Sequence, residues 1–497
     1  MKPAILHLSA PAVEFGDGDH DSIKHGLLLH GPYSLRLGPA HPDSTRVGIV
    51  GPRSAVTGAG DFVARCTGPL KSGRSNTALA PDFPGFEAVM RSRLVRTDPW
   101  DRVLSESAYS KAMSKPPRMA FKQVVRLYGD AIRELSEMDT GPDLVLCALP
   151  ADLVKKCARI EQHPRPRRGK GGGRRPAKGR QSKQLDLFQH ARGTVEAASQ
   201  PGPDDLTVRD LRRALKAVAM KARMPIQLVT PNLFVDGARG QQDPATRAWN
   251  LSVALFYKAG GLPWRVKADA PYTCFVGLSF HHLWTSSSHT VFSSLAQAFS
   301  SEGDGFALRG SAVPWDEDRR QPYLEEEQAF ELVEKVIRTY KSRVGREPLR
   351  VVIHKTTRYL DTEVRGISRA LDRVPSVDLI TIRSTDFRLL RQGTYPPHRG
   401  TLCTFGDATF LYTAGYTSTQ QTYDGPHIPA PVEVISAQPH DDGATAREIL
   451  GLTKMNWNSA DDHVAFPISL QFARKVGLVM SEVPPDEEPH PSYRFYM

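Results

Sequence analysis

Three cations and one amide stand at spacings that could grip a phosphate: Arg212, Lys216, Gln227 and Lys258. Between Thr207 and Met220, apolar Val208, Leu211, Leu215 and Val218 recur every three or four residues, which predicts a helix with Thr207 as N-cap and Asp210 three residues on. Arg212 and Lys216 then share the opposite face. Like charges four residues apart repel by roughly 0.2–0.5 kcal/mol, so an anion held between them would relieve the pair. Gln227 follows Met224-Pro225-Ile226 at the start of an apolar run that reads as a strand, and its amide could donate to the same anion. A second helix, opened by Asp243-Pro244 and closed by Gly260-Gly261, carries Lys258 in its last turn. The same spacings also suit a solvated basic face and a lysine answering the helix dipole. The residues alone leave both readings open.

The elements that must position these groups belong to a chain of 497 residues, enough for two or three domains with their own cores. Residues 1 to about 135 mix short strands and turns, then a helix from about Pro117 to Met138. Pro142-Asp-Leu-Val-Leu-Cys-Ala-Leu-Pro150 is a continuous apolar run that suits a buried parallel strand. With the two helices and the strand at Ile226–Val229, it alternates as a doubly wound α/β domain does, and such folds bind ligands at the sheet edge. From about Ala268 the pattern restarts, with strands at Cys274–Phe280, Leu349–His354 and Val377–Ile382 and helices near Leu324–Arg343 and Asp361–Val374.

The charge points to a polyanionic partner. There are 65 Lys and Arg against 54 Asp and Glu, a net charge of +11. Much of the excess is local, because nine Lys or Arg and no acid fall between Arg165 and Lys183 among Gly and Pro. That composition cannot bury a core, so about 163–200 reads as a disordered basic insertion, either a solubilising loop or one that scans phosphates. No run of 18 apolar residues offers a membrane span, and the N-terminus lacks a signal-peptide core; a cytoplasmic protein is expected. The 5 cysteines (Cys66, Cys147, Cys157, Cys274 and Cys403) are scattered without C-x-x-C spacing, which supports neither a disulfide framework nor a zinc site.

On Arg212, Lys216, Gln227 and Lys258, the last within Phe256-Tyr-Lys-Ala-Gly-Gly-Leu-Pro-Trp264, the chain resembles the prokaryotic Argonautes, specifically the short ones made of MID and PIWI domains only. The resemblance implies an α/β protein with a leader (1–135) packing on the MID domain, a Rossmann-like MID domain (136–267) and an RNase H-like PIWI domain (268–497). It implies that the four residues bind the 5′ phosphate of a guide strand, with Mg²⁺ bridging to the C-terminal carboxylate of Met497. The tract Thr453-Lys-Met-Asn-Trp-Asn-Ser459 resembles the family's segment near the guide backbone, which assigns Lys454 and Asn458 to phosphate and sugar contacts. Trp457 suits a core position, and His281, His282 and His354 lack trustworthy ligand spacing.

Cleaving relatives hold two metal ions with carboxylates converging from neighbouring strands. Where their first aspartate follows Ile-Gly-Ile, this chain reads Val276-Gly-Leu-Ser279. Where the next follows His-Arg, it reads Ile353-His-Lys-Thr356, and the last ligand position, in a C-terminal helix, holds Arg474. Ser279, Thr356 and Arg474 cannot supply that metal chemistry, so the resemblance implies a binder that does not cut. Its guide would be RNA, its target single-stranded DNA, and its output a heterodimeric APAZ-bearing effector, a TIR or sirtuin-like NADase or a nuclease, in abortive defence. Two rivals remain: a guided nuclease with relocated carboxylates such as Asp378 or Glu325 to Glu327, and a general basic nucleic-acid binder that uses the Arg165–Lys183 tract.

Overall fold

The apolar run expected as a buried strand, Leu144–Ala148, is the one around which the first sheet is built. Leu144, Leu146 and Ala148 face one core, and Val145 and Cys147 the other, so continuous apolarity rather than alternation is what the position requires. In the computed structural model, which describes residues 3–163, 202–237, 240–267, 272–285, 289–300, 305–392, 396–423, 425, 427–437, 441–462 and 464–497, Ser44–Gly51 and Ile226–Val229 flank this strand in parallel. Arg93–Val95 and Asp101–Val103 extend the sheet beside Ser44–Gly51, also parallel. Helices Arg53–Arg65 and Pro244–Lys258 cover one face, and Pro117–Ser136 and Leu211–Lys221 the other. This is the doubly wound arrangement that the alternating pattern predicts. The basic insertion and its Arg165–Lys183 tract lie outside the described residues.

One expectation needs correcting. Residues 1–135 are not a leader resting on the α/β unit, because Ser44–Gly51 buries Val47 and Ile49 in one core and Val50 in the other as an inner strand of the sheet. Ala4–His7 goes elsewhere, pairing antiparallel with Thr401–Phe405 at the edge of the second sheet.

That second sheet has nine strands, in the order Ala4–His7, Thr401–Phe405, Ala408–Leu411, Val432–Ser436, Ser376–Ser384, Arg350–Lys355, Thr273–Trp284, His289–Ser300 and Gly305–Ala312. The central three are parallel and the flanks antiparallel, which is the RNase H-like order. Helices Glu326–Val344 and Asp361–Ala370 close one face. Asp442–Leu452 and Ile468–Met480 close the other, and the core beneath them runs without a break into that of the first unit. Trp249, Trp264 and Trp457 are fully buried there, and the rings of Tyr257 and Trp457 lie 4.7 Å apart across the junction. Each such ring removes roughly 150–250 Å² from water, so the two units are held as one body, and cations on helices of both can converge. All five cysteines are buried and free. Among the described residues no helix is long and apolar enough to cross a membrane.

Candidate nucleic-acid interface

The first helix of the site starts later than its apolar period suggests. Val208–Asp210 pairs antiparallel with Arg159–Glu161 as a short strand, and Thr207, buried, donates its amide to the carbonyl of Trp284. The cap is Asp210, whose carboxylate accepts from the amides of Arg212 (3.0 Å) and Arg213 (3.2 Å). A carboxylate that takes two first-turn amides also answers the positive end of the helix. Helix Leu211–Lys221 then buries Leu211, Ala214, Leu215 and Ala219 and leaves Arg212 exposed. Lys216 is half-buried, and its ammonium donates to the main-chain carbonyl of Tyr496 at 2.9 Å.

Lys258 ends a helix that lies between the first sheet and the second unit, which is why nearly all its residues are buried. Lys258 itself is 1% exposed, and its Nζ has no hydrogen-bond partner. Burial pushes its pKa well below the ordinary lysine value, and Lys216 and Lys475 push it further. Lys216 is lowered to about 7 by burial, then by Lys475 and Arg212, with Asp210 acting the other way. Lys475 comes from the second unit. Helix Ile468–Met480 packs against Leu211–Lys221, and the Lys475 ammonium sits 4.9 Å from the Phe472 ring centroid. Three ammonium groups from three helices thus act on one another at one place, one of them buried without a partner. A buried, unpaired cation is costly in water-free surroundings, and an anion is the group that would satisfy all three.

Lys216 and Lys258 are among the four residues that the sequence singles out, whereas Lys475, directly after Arg474, is not, although it acts on both. Arg212 acts on Lys216 from the exposed rim. Gln227 shares a strand face with Val229, toward the Pro244–Lys258 helix. Its Oε1 is buried without a partner, and no hydrogen bond joins it to the lysines. The chain end lies beside the cluster: Met497 is buried, Tyr496 donates its hydroxyl to the carbonyl of His490, and Arg494 reaches the carbonyl of Gly260 and the ring of Tyr257. Gly260 adopts φ +115 there, which a side chain would strain.

No family model and no curated protein matches the chain. Solved structures do. Clostridium butyricum Argonaute, bound to a guide DNA and a 19-mer target DNA, superposes with a TM-score of 0.63 at 14% identity, over 98% of this chain and 54% of its own. Drosophila Piwi gives 0.58 at 13% identity over 99% and 56%, and A. aeolicus Argonaute 0.55 at 13% over 98% and 55%. The chain has the Argonaute fold. It spans just over half the length of the Argonautes it matches.

Within that fold, the three positions where cleaving Argonautes are expected to carry metal ligands are occupied as follows. Ser279 is 7% exposed on Thr273–Trp284, while Thr356, just past Arg350–Lys355, and Arg474 are exposed. The strand end is closed by a feature that sequence reading missed. Lys355 and Glu363 are both buried and paired at 2.5 Å, and Glu363 also accepts the amides of Leu324 (3.0 Å) and Leu360 (2.8 Å). The Lys355 ammonium lies 4.8 Å from the Tyr359 ring centroid. Glu363 satisfies four donor contacts, which is what a buried pair needs to persist. Buried His354 binds Ser469 of the final helix at 2.8 Å, a structural tie. Of the carboxylates a relocated centre could use, Asp378 binds Arg350, Glu326 and Glu327 pair with Arg365 and Arg369, and Glu325 is a helix N-cap. Among the described residues no group of three or more His, Cys, Asp or Glu could hold a metal.

The expected guide-backbone contacts are corrected in part. Lys454 is 3% exposed, and its ammonium donates to the carbonyls of Pro11 (3.0 Å) and Asp21 (2.9 Å). Burial lowers it to about 8. It is a strut that ties the N-terminal segment to the second unit, not a free cation facing a strand. Asn458 keeps a buried Oδ1 without a partner, and Trp457 is core, donating to the carbonyl of Trp264.

Proposed function

We propose that the chain is the guide-binding subunit of a short prokaryotic Argonaute defence system. The first unit serves as the MID domain and takes the 5′ phosphate of a guide strand, RNA, between Lys216, Lys258 and Lys475, with Arg212 at the rim and Gln227 on the adjoining strand. The second unit serves as the PIWI domain and holds the guide by its backbone, so that base pairing with complementary single-stranded DNA, rather than side chains, reads the target. The target is bound without being cut, and the output passes to a partner carrying an APAZ region and an NADase or nuclease. The partner rests on the family resemblance alone.

The observation that carries the reading is the partnerless buried ammonium of Lys258 beside Lys216 and Lys475. The fold it shares with an Argonaute solved with guide and target supports the same reading. The test is binding of 5′-phosphorylated and 5′-hydroxyl strands of one sequence. Lys216→Ala and Lys258→Ala should each remove the preference for the phosphorylated end, whereas deletion of residues 165–183 should leave it intact. Equal affinity of the unchanged protein for both ends would refute the reading and favour a general basic binder.

A further inference from the structure

The divalent ion that the family resemblance implies at this site can be tested against the donors the chain presents. A magnesium ion takes hard oxygen ligands, usually one or two carboxylates together with substrate phosphate, and keeps several waters. Around Lys216 and Lys258 the acidic side chain that acts is Asp210, already bound to the amides of Arg212 and Arg213. The other anionic ligand that the family resemblance implies is a carboxylate at Met497, one residue beyond the carbonyl that Lys216 already engages. Acting at the same place are the amino groups of Lys216, Lys258 and Lys475, and Arg212 and Arg213 act on Lys216. The site offers a dication one carboxylate among three lysines, and the two guanidinium groups together with every lysine that keeps its proton repel it, so the residues do not fit it as a resident cofactor.

We infer that Lys475 replaces the divalent ion, so that the pocket binds a 5′-terminal phosphate monoester with protein cations alone and is assembled from both units. The inference rests on the terminal-phosphate reading above. Three observations carry it: helix Ile468–Met480 packs on helix Leu211–Lys221, Lys475 acts on both other lysines, and Lys258 Nζ is buried without a partner. A phosphate carries close to two negative charges and three acceptor oxygens, enough to engage the three ammonium groups together. Because Lys475 belongs to the final helix of the second unit, the phosphate would also bridge the two units, making terminal-phosphate binding a clamp across their junction.

The experiment uses the full chain and RNA strands of one sequence, 3′-labelled, with either a 5′ phosphate or a 5′ hydroxyl, read by fluorescence anisotropy in magnesium and in EDTA. The unchanged protein is expected to keep its preference for the phosphorylated strand in EDTA to within about twofold. Lys475→Ala, at an exposed position that should leave folding intact, is expected to lose roughly tenfold or more of that preference in EDTA, the scale of one charge-assisted hydrogen bond. Part of the loss should return when magnesium is added, because the vacated place then admits the ion, and Lys475→Arg should need no metal. A preference that vanishes in EDTA and returns with magnesium in the unchanged protein would overturn the metal-free pocket while upholding the terminal phosphate. Full preference in Lys475→Ala in EDTA would overturn the role of Lys475, and no preference in either buffer would overturn the terminal-phosphate reading itself.

Discussion

Preference for a phosphorylated end should weaken as pH rises through the neutral range, by an amount that Lys216 sets. In the free protein its ammonium is held at about 7, against an ordinary 10.5, by burial and by Lys475, Arg212 and Arg213, with only Asp210 opposing. Burial lowers Lys258 as well, and Lys216 and Lys475 push it the same way. A bound phosphate, fully dianionic above its second pKa of about 6, restores the charge, so binding takes up a proton wherever the free lysine is neutral. For one lysine at about 7, the protonated fraction falls from about one half at pH 7 to about 3% at pH 8.5, a loss of about fifteenfold in affinity. A second proton taken up by Lys258 would steepen the slope toward a hundredfold per pH unit. The ratio of dissociation constants for 5′-hydroxyl and 5′-phosphate strands, measured by anisotropy from pH 6.5 to 9 at fixed ionic strength, isolates this effect from general backbone electrostatics. A ratio flat within about threefold over that range would show that the ammonium groups stay charged without ligand, and the argument from burial would fail. The same shift acts on folding with a definite sign. Between about 7 and 10.5 the unfolded chain binds more protons at Lys216 than the folded one, so this group makes the guide-free protein more stable as pH rises through that window and least stable below it.

Three further outcomes follow from the same structure. Glu363→Gln leaves the Lys355 ammonium buried beside a neutral amide and should cost about 3–5 kcal/mol in urea unfolding. The double change Lys355→Met with Glu363→Leu should cost less, and a loss under about 1 kcal/mol for the single change would show that the pair is not load-sharing. Lys454→Ala removes two charge-assisted bonds to Pro11 and Asp21 and should destabilise the chain by about 1.5–3 kcal/mol per bond while the folded fraction binds guide as before; unchanged stability with weakened guide binding would return Lys454 to the guide backbone. Purified chain with guide, labelled complementary DNA and Mn²⁺ should yield no product, whereas site-specific cleavage abolished by Asp378→Asn would establish the rival nuclease with relocated carboxylates.

What the sequence made legible is what depends on local pattern. The continuous apolarity of Leu144–Ala148, the Asp243-Pro244 opening and Gly260-Gly261 close of the helix carrying Lys258, and the strand at Ile226–Val229 all appear where period and punctuation place them. The helix that carries Arg212 and Lys216 starts later than its period predicts because Val208–Asp210 pairs as a strand, and Asp210, not Thr207, stands at the cap. The cations divide along a different line. Arg212, Lys216 and Lys258 stand on helices that the sequence itself marks, whereas Lys475 and the buried Lys355–Glu363 pair are brought to their neighbours only by tertiary packing. Lys454 was misread for the same reason, since the carbonyls of Pro11 and Asp21 that engage it lie more than four hundred residues earlier in the chain. Spacing reports which way a charged side chain leaves its element, but burial and partners decide whether it remains available to a ligand. Lys258 and Lys454 are both almost fully buried, yet Lys454 has two carbonyl partners and Lys258 none. Of two desolvated lysines, the one left without a partner is the one that an incoming anion would stabilise, whereas the other already has its acceptors.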